Sequence, residues 1–230
     1  MVAKAVFFDI DGTLVDSNDF HIAAWDQAFR DAGVNIQRDA IHAQIGKGAD
    51  MLLPTLLPAV SETERDHIAK GHDDLFRSRY LAQVKPFPGA RDLVKYLHDA
   101  GTKVLLASSS NQSEVDHYIK LLAVGDFLSG TATADDVKRS KPAPDIFACA
   151  LAKVTPFHPN ECLAVGDTPY DVVAAAKCQV DTVAVCSGGF SEKDLKNAGA
   201  VAIYASVREL LKALAMSPRL FATIRPAAQH

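Results

Sequence analysis

The chain has 230 residues, of which 48% are hydrophobic and 23% charged, and its formal net charge at pH 7 is -4. These proportions are typical of a globular protein with a core of one or two domains. The absence of a basic excess argues against nucleic-acid binding, and no apolar stretch reaches the roughly 18 residues of a membrane-spanning helix. We therefore expect a cytoplasmic protein with no membrane or nucleic-acid partner.

Strand-like and helical patterns alternate along most of the chain. Residues 5–10 form an apolar run of the kind found in strands buried on both faces of a sheet. Comparable runs recur at 103–108, 161–166, 181–186 and 200–205, and helical patterns lie at 89–101, 113–124, 143–154 and 170–178. This alternation predicts an α/β fold with a Rossmann-like core, in which helices cover both faces of a parallel sheet.

Residues 17–85 interrupt this alternation, because they contain helical patterns and no strand-like run. We predict that they form a helical cap domain inserted into an α/β hydrolase core made of residues 1–16 and 86–230. The end of the chain, 217–230, shows no periodicity and is expected to be loosely attached.

The cysteines follow no spacing typical of a zinc site or of a disulfide framework. They lie in apolar stretches, at Cys149, Cys162, Cys178 and Cys186. This setting predicts buried, reduced thiols.

Polar residues follow the predicted strands at the edge where open parallel sheets bind ligands. They are Asp9 and Asp11 after the first strand, Ser108 and Ser109 after the second, Asp167 and Asp171 after the third, and Lys141 before the helix at 143–154. Carboxylates crowded on one rim are stable only if a cation lies among them. Hard oxygen ligands suit Mg²⁺, which commonly binds carboxylates together with a phosphate.

The paired acids Asp9 and Asp11 indicate phosphoryl transfer. One carboxylate would attack phosphorus and form an acyl phosphate, while the other would protonate the leaving alcohol and later activate water. Ser108 and Lys141 would hold the phosphoryl oxygens. Gly12 would allow the backbone to approach the phosphate closely.

Four stretches, DIDGTL, LLASSS, KPAPDIF and VGDTPYD, resemble the ordered motifs of the haloacid dehalogenase-like hydrolase superfamily. The resemblance covers about residues 4–190. The helical insertion after the first motif is similar to the small-cap subclass, which includes phosphoglycolate phosphatases, sugar-phosphate phosphatases and β-phosphoglucomutase.

The resemblance implies a role for each matching residue. It implies that Asp9 is the nucleophile, Asp11 the general acid and base, and Ser108 and Lys141 the phosphate binders. It also implies a Mg²⁺ ion bound by the Asp9 carboxylate, the Asp11 backbone carbonyl and the Asp167 carboxylate, with Asp171 behind these ligands.

Two residues of the predicted cap are candidates for substrate binding, together with Gly12 and Ser109. His21 lies one helical turn before Trp25, where it is either a structural histidine or a group that faces the substrate. Lys47 lies between two glycines in IGKGAD, which is either a plain turn or a specificity loop.

The expected function is Mg²⁺-dependent hydrolysis of a small-molecule phosphate ester, phosphoglycolate or a sugar phosphate, through an aspartyl-phosphate, by a monomer or homodimer. One alternative is a sugar phosphomutase, although IGKGADMLL lacks an arginine to grip a second phosphate. Another is a receiver-type signalling module that stores the aspartyl phosphate. Dehalogenation is disfavoured, because that branch of the family lacks the second acid, which Asp11 supplies here.

Overall fold

The computed structural model describes residues 3–217 and 220–223. Within them the strands are β1 (Ala5–Phe8), β2 (Val15–Asp16), β3 (Lys85–Pro86), β4 (Lys103–Ala107), β5 (Gly130–Ala132), β6 (Cys162–Gly166), β7 (Asp181–Val185) and β8 (Ala202–Tyr204). The helices are α1 (Asn18–Asp31), α2 (Arg38–His42), α3 (Ala49–Leu56), α4 (Glu62–Leu75), α5 (Ala90–Asp99), α6 (Gln112–Leu122), α7 (Asp145–Ala152), α8 (Pro169–Lys177), α9 (Glu192–Ala198), α10 (Val207–Met216) and α11 (Leu220–Thr223).

Six strands form one parallel sheet in the order β5-β4-β1-β6-β7-β8. The last residue of β1, Phe8, is paired with Leu106 of β4 and with Val165 of β6. The chain therefore leaves these three central strands at the same edge of the sheet. The parallel α/β core that the sequence predicts is confirmed.

The first strand ends two residues earlier than its apolar run. The Asp9 amide still donates to the Val165 carbonyl at 2.9 Å, but the Ile10 carbonyl accepts from the amides of Thr13, Leu14 and Val15. The chain thus turns at Ile10 instead of continuing the ladder. This turn brings the residues that follow β1 back over the end of the sheet.

Helices α1 to α4 lie between β2 and β3, a short antiparallel pair in which Val15 is opposite Pro86. Their apolar side chains surround a hydrophobic cluster of their own, made of Ile22, Trp25, Ala28, Phe29, Ile41, Ile45, Leu52, Leu53, Leu57 and Ile68. At the start of α4, Ser61 and Glu64 form a reciprocal capping box. A π-helical turn at Phe76–Tyr80 then continues this helix.

The expectation of a loosely attached tail is wrong for Leu220–Thr223, which form α11. Phe221 is 1% exposed and belongs to the main hydrophobic core, so its burial fixes this part of the chain. The rest of that expectation, at 218–219 and 224–230, lies outside the described residues.

The prediction of reduced thiols is confirmed, because all four cysteines are free. The prediction that they are buried holds for Cys162, whereas Cys149, Cys178 and Cys186 are half-buried. Among the described helices, none combines the length and the apolar character that crossing a bilayer requires.

Candidate active site

The shared edge of β1, β4 and β6 brings the predicted acids and the lysine together. Lys141 is fully buried, and its ammonium lies 2.5 Å from Asp9 Oδ1 and 2.7 Å from Asp171 Oδ1. Burial alone would lower the pKa of Lys141, but Asp171 and Asp9 hold it above its usual value. This ammonium is therefore a permanent positive charge behind the Asp9 carboxylate.

Three buried carboxylates, those of Asp9, Asp167 and Asp171, have oxygen atoms within 4.8 Å of one another. Burial raises the pKa of Asp9 to about 7 and that of Asp167 well above its usual range. One lysine cannot neutralise three acids, so the cluster fits a divalent cation. Its donors are all oxygens, which suit Mg²⁺.

Two glycines leave room for the Asp167 carboxylate. A Cβ atom built on Gly12 would lie 2.2 Å from Asp167 Oδ2, and one built on Gly188 would lie 1.5 Å from the same atom. Asn18 Nδ2 donates to this oxygen at 3.1 Å and to the Gly188 carbonyl at 3.1 Å. Thr13 Oγ1 lies 2.9 Å from the other oxygen, Asp167 Oδ1. Of these four residues, only Gly12 was predicted from the sequence to belong to the site, and for a different reason.

The Asp11 carboxylate belongs to a separate network. It accepts hydrogen bonds from Ser17 Oγ at 2.6 Å and Ser110 Oγ at 3.0 Å, and His21 Nε2 lies 3.3 Å from it. Burial raises the pKa of Asp11, but the hydrogen bonds from His21, Ser17 and Ser110 outweigh burial and bring it to about 2. The two neighbouring acids thus have opposite environments, but the raised pKa of Asp9 and the lowered pKa of Asp11 are the reverse of what a nucleophile and a proton donor need before a cation and a phosphate are bound.

His21 connects Asp11 to a second histidine. His21 Nδ1 lies 3.3 Å from His72 Nε2, and His72 Nδ1 lies 2.9 Å from Asp73 Oδ1. Because both end carboxylates only accept, all three bonds form if His72 is neutral and His21 carries both ring protons. Burial lowers the pKa of His72 to about 4, whereas the hydrogen bond and charge of Asp11 overcome burial and raise that of His21. His21 therefore lies in the cavity wall beside Asp11, and its contact with a substrate stays a prediction.

The serines after β4 point in different directions. Ser108 is 1% exposed and its hydroxyl accepts from the Ser110 amide at 3.0 Å. Ser109 Oγ donates to the Gly46 carbonyl at 3.3 Å, so it contacts the loop next to Lys47. Ser110, which bonds to Asp11, was not among the predicted site residues.

A second contact joins this loop and α3 to the chain just before Lys141. The Gly48 amide donates to Ser140 Oγ at 2.8 Å. The Ser140 amide and hydroxyl in turn donate to the two oxygens of Asp50, at 2.9 and 2.5 Å. Ser140 therefore anchors the start of α3 beside the buried lysine.

A cavity of about 350 Å³ opens between the sheet edge and helices α1, α3 and α4. Its walls include Asp9, Asp11, His21, Trp25, Lys47, His72, Asp73, Ser109, Ser110 and Glu114. Lys47 Nζ lies 2.5 Å from Gln44 Oε1 and 4.6 Å from the centre of the Tyr170 ring. Trp25 packs its ring 4.0 Å from that of His72. The cavity thus combines the predicted acids with groups from the helical segment.

Comparison with known proteins agrees with this arrangement. A family model described as haloacid dehalogenase-like hydrolase matches residues 3–179. A pyrophosphatase, PpaX of Oceanobacillus iheyensis, is 27% identical over 189 residues, which are 80% of this chain and 84% of that protein. A phosphoglycolate phosphatase of Pseudomonas fluorescens is 28% identical over 196 residues, 80% of this chain and 70% of that protein.

Among solved structures, a hydrolase from Pseudomonas syringae superposes with a TM-score of 0.86. It is 29% identical in sequence, and the match covers 93% of this chain and 99% of that one. The similarity therefore includes the helical segment as well as the sheet.

Proposed function

The chain belongs to the haloacid dehalogenase-like hydrolases, and we propose that it is a Mg²⁺-dependent phosphatase of small phosphorylated metabolites that forms an aspartyl-phosphate. The observation that carries the proposal is the position of Asp9. Its carboxylate lies between the Lys141 ammonium and the Asp167 carboxylate, while Asp11 is held in a separate network. Hydrolysis of a phosphoric monoester needs these two acids in different states.

In the proposed first step, an Asp9 oxygen forms a bond to phosphorus as the ester P–O bond breaks. Asp11 gives a proton to the leaving oxygen. Its hydrogen bonds outweigh burial and lower its pKa to about 2, so this step needs the bound phosphate dianion beside Asp11 to raise that pKa, because like charges disfavour ionisation. Lys141 and Ser108 would bind the phosphoryl oxygens. In the second step, Asp11 takes a proton from water as the water oxygen bonds to phosphorus and Asp9 is released.

The residues that would hold Mg²⁺ are Asp9 and Asp167, through their carboxylates, and Asp11, through its carbonyl. The ion would neutralise charge on the phosphoryl oxygens. Asp171 would instead position Lys141, because its Oδ1 lies 2.7 Å from the ammonium and its Oδ2 accepts from the Thr168 hydroxyl at 2.7 Å.

The helical segment 17–85 would serve as the cap that excludes water and selects the leaving group. It supplies His21, Trp25 and Lys47 to the cavity, whereas the groups assigned to phosphate come from the sheet edge. Phosphoglycolate, pyrophosphate and sugar phosphates are the candidate substrates, the first two from the names of the relatives. The mutase alternative is disfavoured, because Lys47 already contacts Gln44 and Tyr170 and is a poorer phosphate clamp than an arginine.

The test is phosphate release from p-nitrophenyl phosphate with Mg²⁺ and with excess EDTA. We expect turnover that depends on Mg²⁺, loss of all turnover in Asp9→Asn, and an acid-stable, hydroxylamine-sensitive phosphoenzyme in the wild type. The matched control is Asp116→Asn, since Asp116 is an exposed acid of α6 that contacts Gln112. Wild-type turnover by Asp9→Asn, or undiminished turnover in EDTA, would contradict the proposed mechanism.

A further inference from the structure

Glu114, in the first turn of α6, places a carboxylate in the cavity next to Asp11. Its Oε1 atom lies 3.0 Å from Ser110 Oγ and 3.8 Å from His21 Nε2, and its side chain is 16% exposed. Ser110 Oγ contacts both Glu114 Oε1 and Asp11 Oδ2, so the two carboxylates are neighbours in the cavity wall. A leaving group that receives a proton from Asp11 would therefore come close to Glu114.

The Glu114 carboxylate has fewer hydrogen-bond donors than it can accept. The Ser110 hydroxyl has a single hydrogen, yet it lies 3.0 Å from both Glu114 Oε1 and Asp11 Oδ2. If that hydrogen goes to Asp11, His21 at 3.8 Å is too distant to replace it, which leaves the buried Tyr118 hydroxyl, a neighbour of both Asp11 and Glu114, as the competing donor. A ligand with a hydroxyl group in the cavity would satisfy this acceptor.

The same wall of the cavity carries a further acid and an apolar surface. Asp73 lines the cavity, and its side chain is 53% exposed. The stacked rings of Trp25 and His72 lie beside it and can pack against C–H groups. Carboxylates that accept hydroxyls, next to an aromatic surface, are suited to a polyhydroxy carbon chain.

Three cationic side chains line the cavity, those of Lys47, Lys138 and Arg139. Of these, Arg139 is paired with a carboxylate, because it donates to both oxygens of Asp145 at 3.2 and 2.9 Å, whereas Lys47 donates to the neutral Gln44. The Arg139 guanidinium is therefore less available to offset a second negative charge brought by the leaving group.

Burial, followed by the charge of Asp11, raises the pKa of Glu114 to about 7. At pH 8 its carboxylate is therefore mostly ionised and would repel a second negative charge, because like charges a few ångströms apart repel in a partly buried site.

From this geometry we propose that Glu114 makes the site selective for phosphate esters of polyhydroxy alcohols, such as sugars and alditols, over esters whose leaving group carries its own negative charge. The inference rests on the proposed phosphatase function and narrows its substrate class. A hydroxyl near the scissile oxygen would donate to Glu114, whereas a carboxylate or a second phosphate in that place would face it as a like charge.

The experiment compares two substrates of nearly equal size, 2-hydroxyethyl phosphate and 2-phosphoglycolate, which differ by a hydroxymethyl group in place of a carboxylate. We expect kcat/KM of the wild type to be about tenfold or more higher for 2-hydroxyethyl phosphate. Glu114→Gln keeps the shape and removes the charge, so this ratio should fall about tenfold. Asp116→Asn, which removes an exposed acid from the same helix, should leave the ratio as it is.

The outcomes separate this inference from the proposed function. Hydrolysis of p-nitrophenyl phosphate by the wild type reports phosphatase activity independently of Glu114 selectivity. If that activity is present but 2-phosphoglycolate is the better substrate, or if Glu114→Gln leaves the ratio unchanged, the inference is wrong and the proposed function stands. If no phosphate ester is hydrolysed, the proposed function fails and the inference fails with it.

Discussion

Asp9→Asn should abolish turnover and at the same time stabilise the protein when no metal is bound. Asp9 is 6% exposed and lies among the carboxylates of Asp167 and Asp171. Its ionised form is held by Lys141 but opposed by burial and by these neighbours. Asparagine keeps the shape of the side chain and removes the charge, so the change isolates what this charge does to the fold.

The pKa of Asp9 gives the magnitude. Burial, the largest influence, raises it from 3.8 to about 7. Since one pKa unit corresponds to about 1.4 kcal/mol, ionising Asp9 lowers the free energy of unfolding by about 4 kcal/mol at pH 8. Between pH 4 and 7 (roughly), the unfolded chain has lost this proton while the folded chain keeps it, so stability falls as the pH rises.

The substituted protein loses the 2.5 Å contact with Lys141, but that ammonium keeps its 2.7 Å contact with Asp171. The net gain at pH 8 should therefore be smaller than the full cost of ionisation, about 1–3 kcal/mol. At pH 5 the folded chain keeps this proton while the unfolded chain has largely lost it, so about 1.6 kcal/mol of the cost is already present, and the gain should be about 2–3 kcal/mol smaller than at pH 8.

Urea unfolding in EDTA at pH 5 and pH 8 measures this difference, alongside turnover of p-nitrophenyl phosphate. The matched control is Asp171→Asn, which should destabilise at both pH values, because the Asp171 carboxylate accepts from the amide and the hydroxyl of Thr168. If the free energy of unfolding changes by the same amount from pH 5 to pH 8 in Asp9→Asn as in the wild type, burial of the Asp9 charge does not destabilise the fold and the prediction is wrong.

Three further changes test the other parts of the site. Asp167→Ala should weaken Mg²⁺ binding, measured by calorimetry, by about 100-fold or more. Asp171→Ala should weaken it less, since Asp171 only supports the residues that bind the ion. Equal losses of Mg²⁺ affinity in the two variants would count against this assignment. Gly188→Ala should lower the free energy of urea unfolding by about 3 kcal/mol, because its Cβ would lie 1.5 Å from a carboxylate oxygen. Gly125→Ala, with its nearest side-chain atom at 3.5 Å, should have little effect on the same measurement. Lys47→Ala should raise KM for the preferred metabolite more than KM for p-nitrophenyl phosphate in steady-state assays, and equal increases would remove Lys47 from substrate selection.

The sheet could be predicted wherever a strand was long and buried on both faces. The runs at 5–10 and 103–108, for example, correspond to Ala5–Phe8 and Lys103–Ala107. The edge strand Gly130–Ala132 has three residues and no apolar run, so its sequence carries no comparable pattern. Its position depends on pairing with β4, which is a tertiary interaction.

The site could be predicted in part for the same reason. Residues that directly follow a strand must lie at the edge of the sheet, which locates Asp9, Asp11 and Asp167 from the sequence alone. Asn18, which contacts Asp167 across 149 positions of the chain, follows no strand of the main sheet and belongs to no local pattern. Glu114 likewise reaches the cavity through tertiary packing, which brings its carboxylate to Ser110 beside Asp11.

If large substrates can enter only when α3 moves away from the sheet, the hydrogen bonds of Ser140 would favour small substrates over large ones. Any motion that carries α3 away from the sheet must break its three hydrogen bonds to Gly48 and Asp50. With about 1 kcal/mol from each, these bonds favour the closed arrangement by about a hundredfold. A ligand too large for the closed cavity must wait for the rare open form, so its apparent affinity is about a hundredfold weaker than its contacts would provide. A small ester fits the closed cavity and avoids this loss of affinity. The ligand size above which affinity falls would thus depend on hydrogen bonds that form next to Lys141.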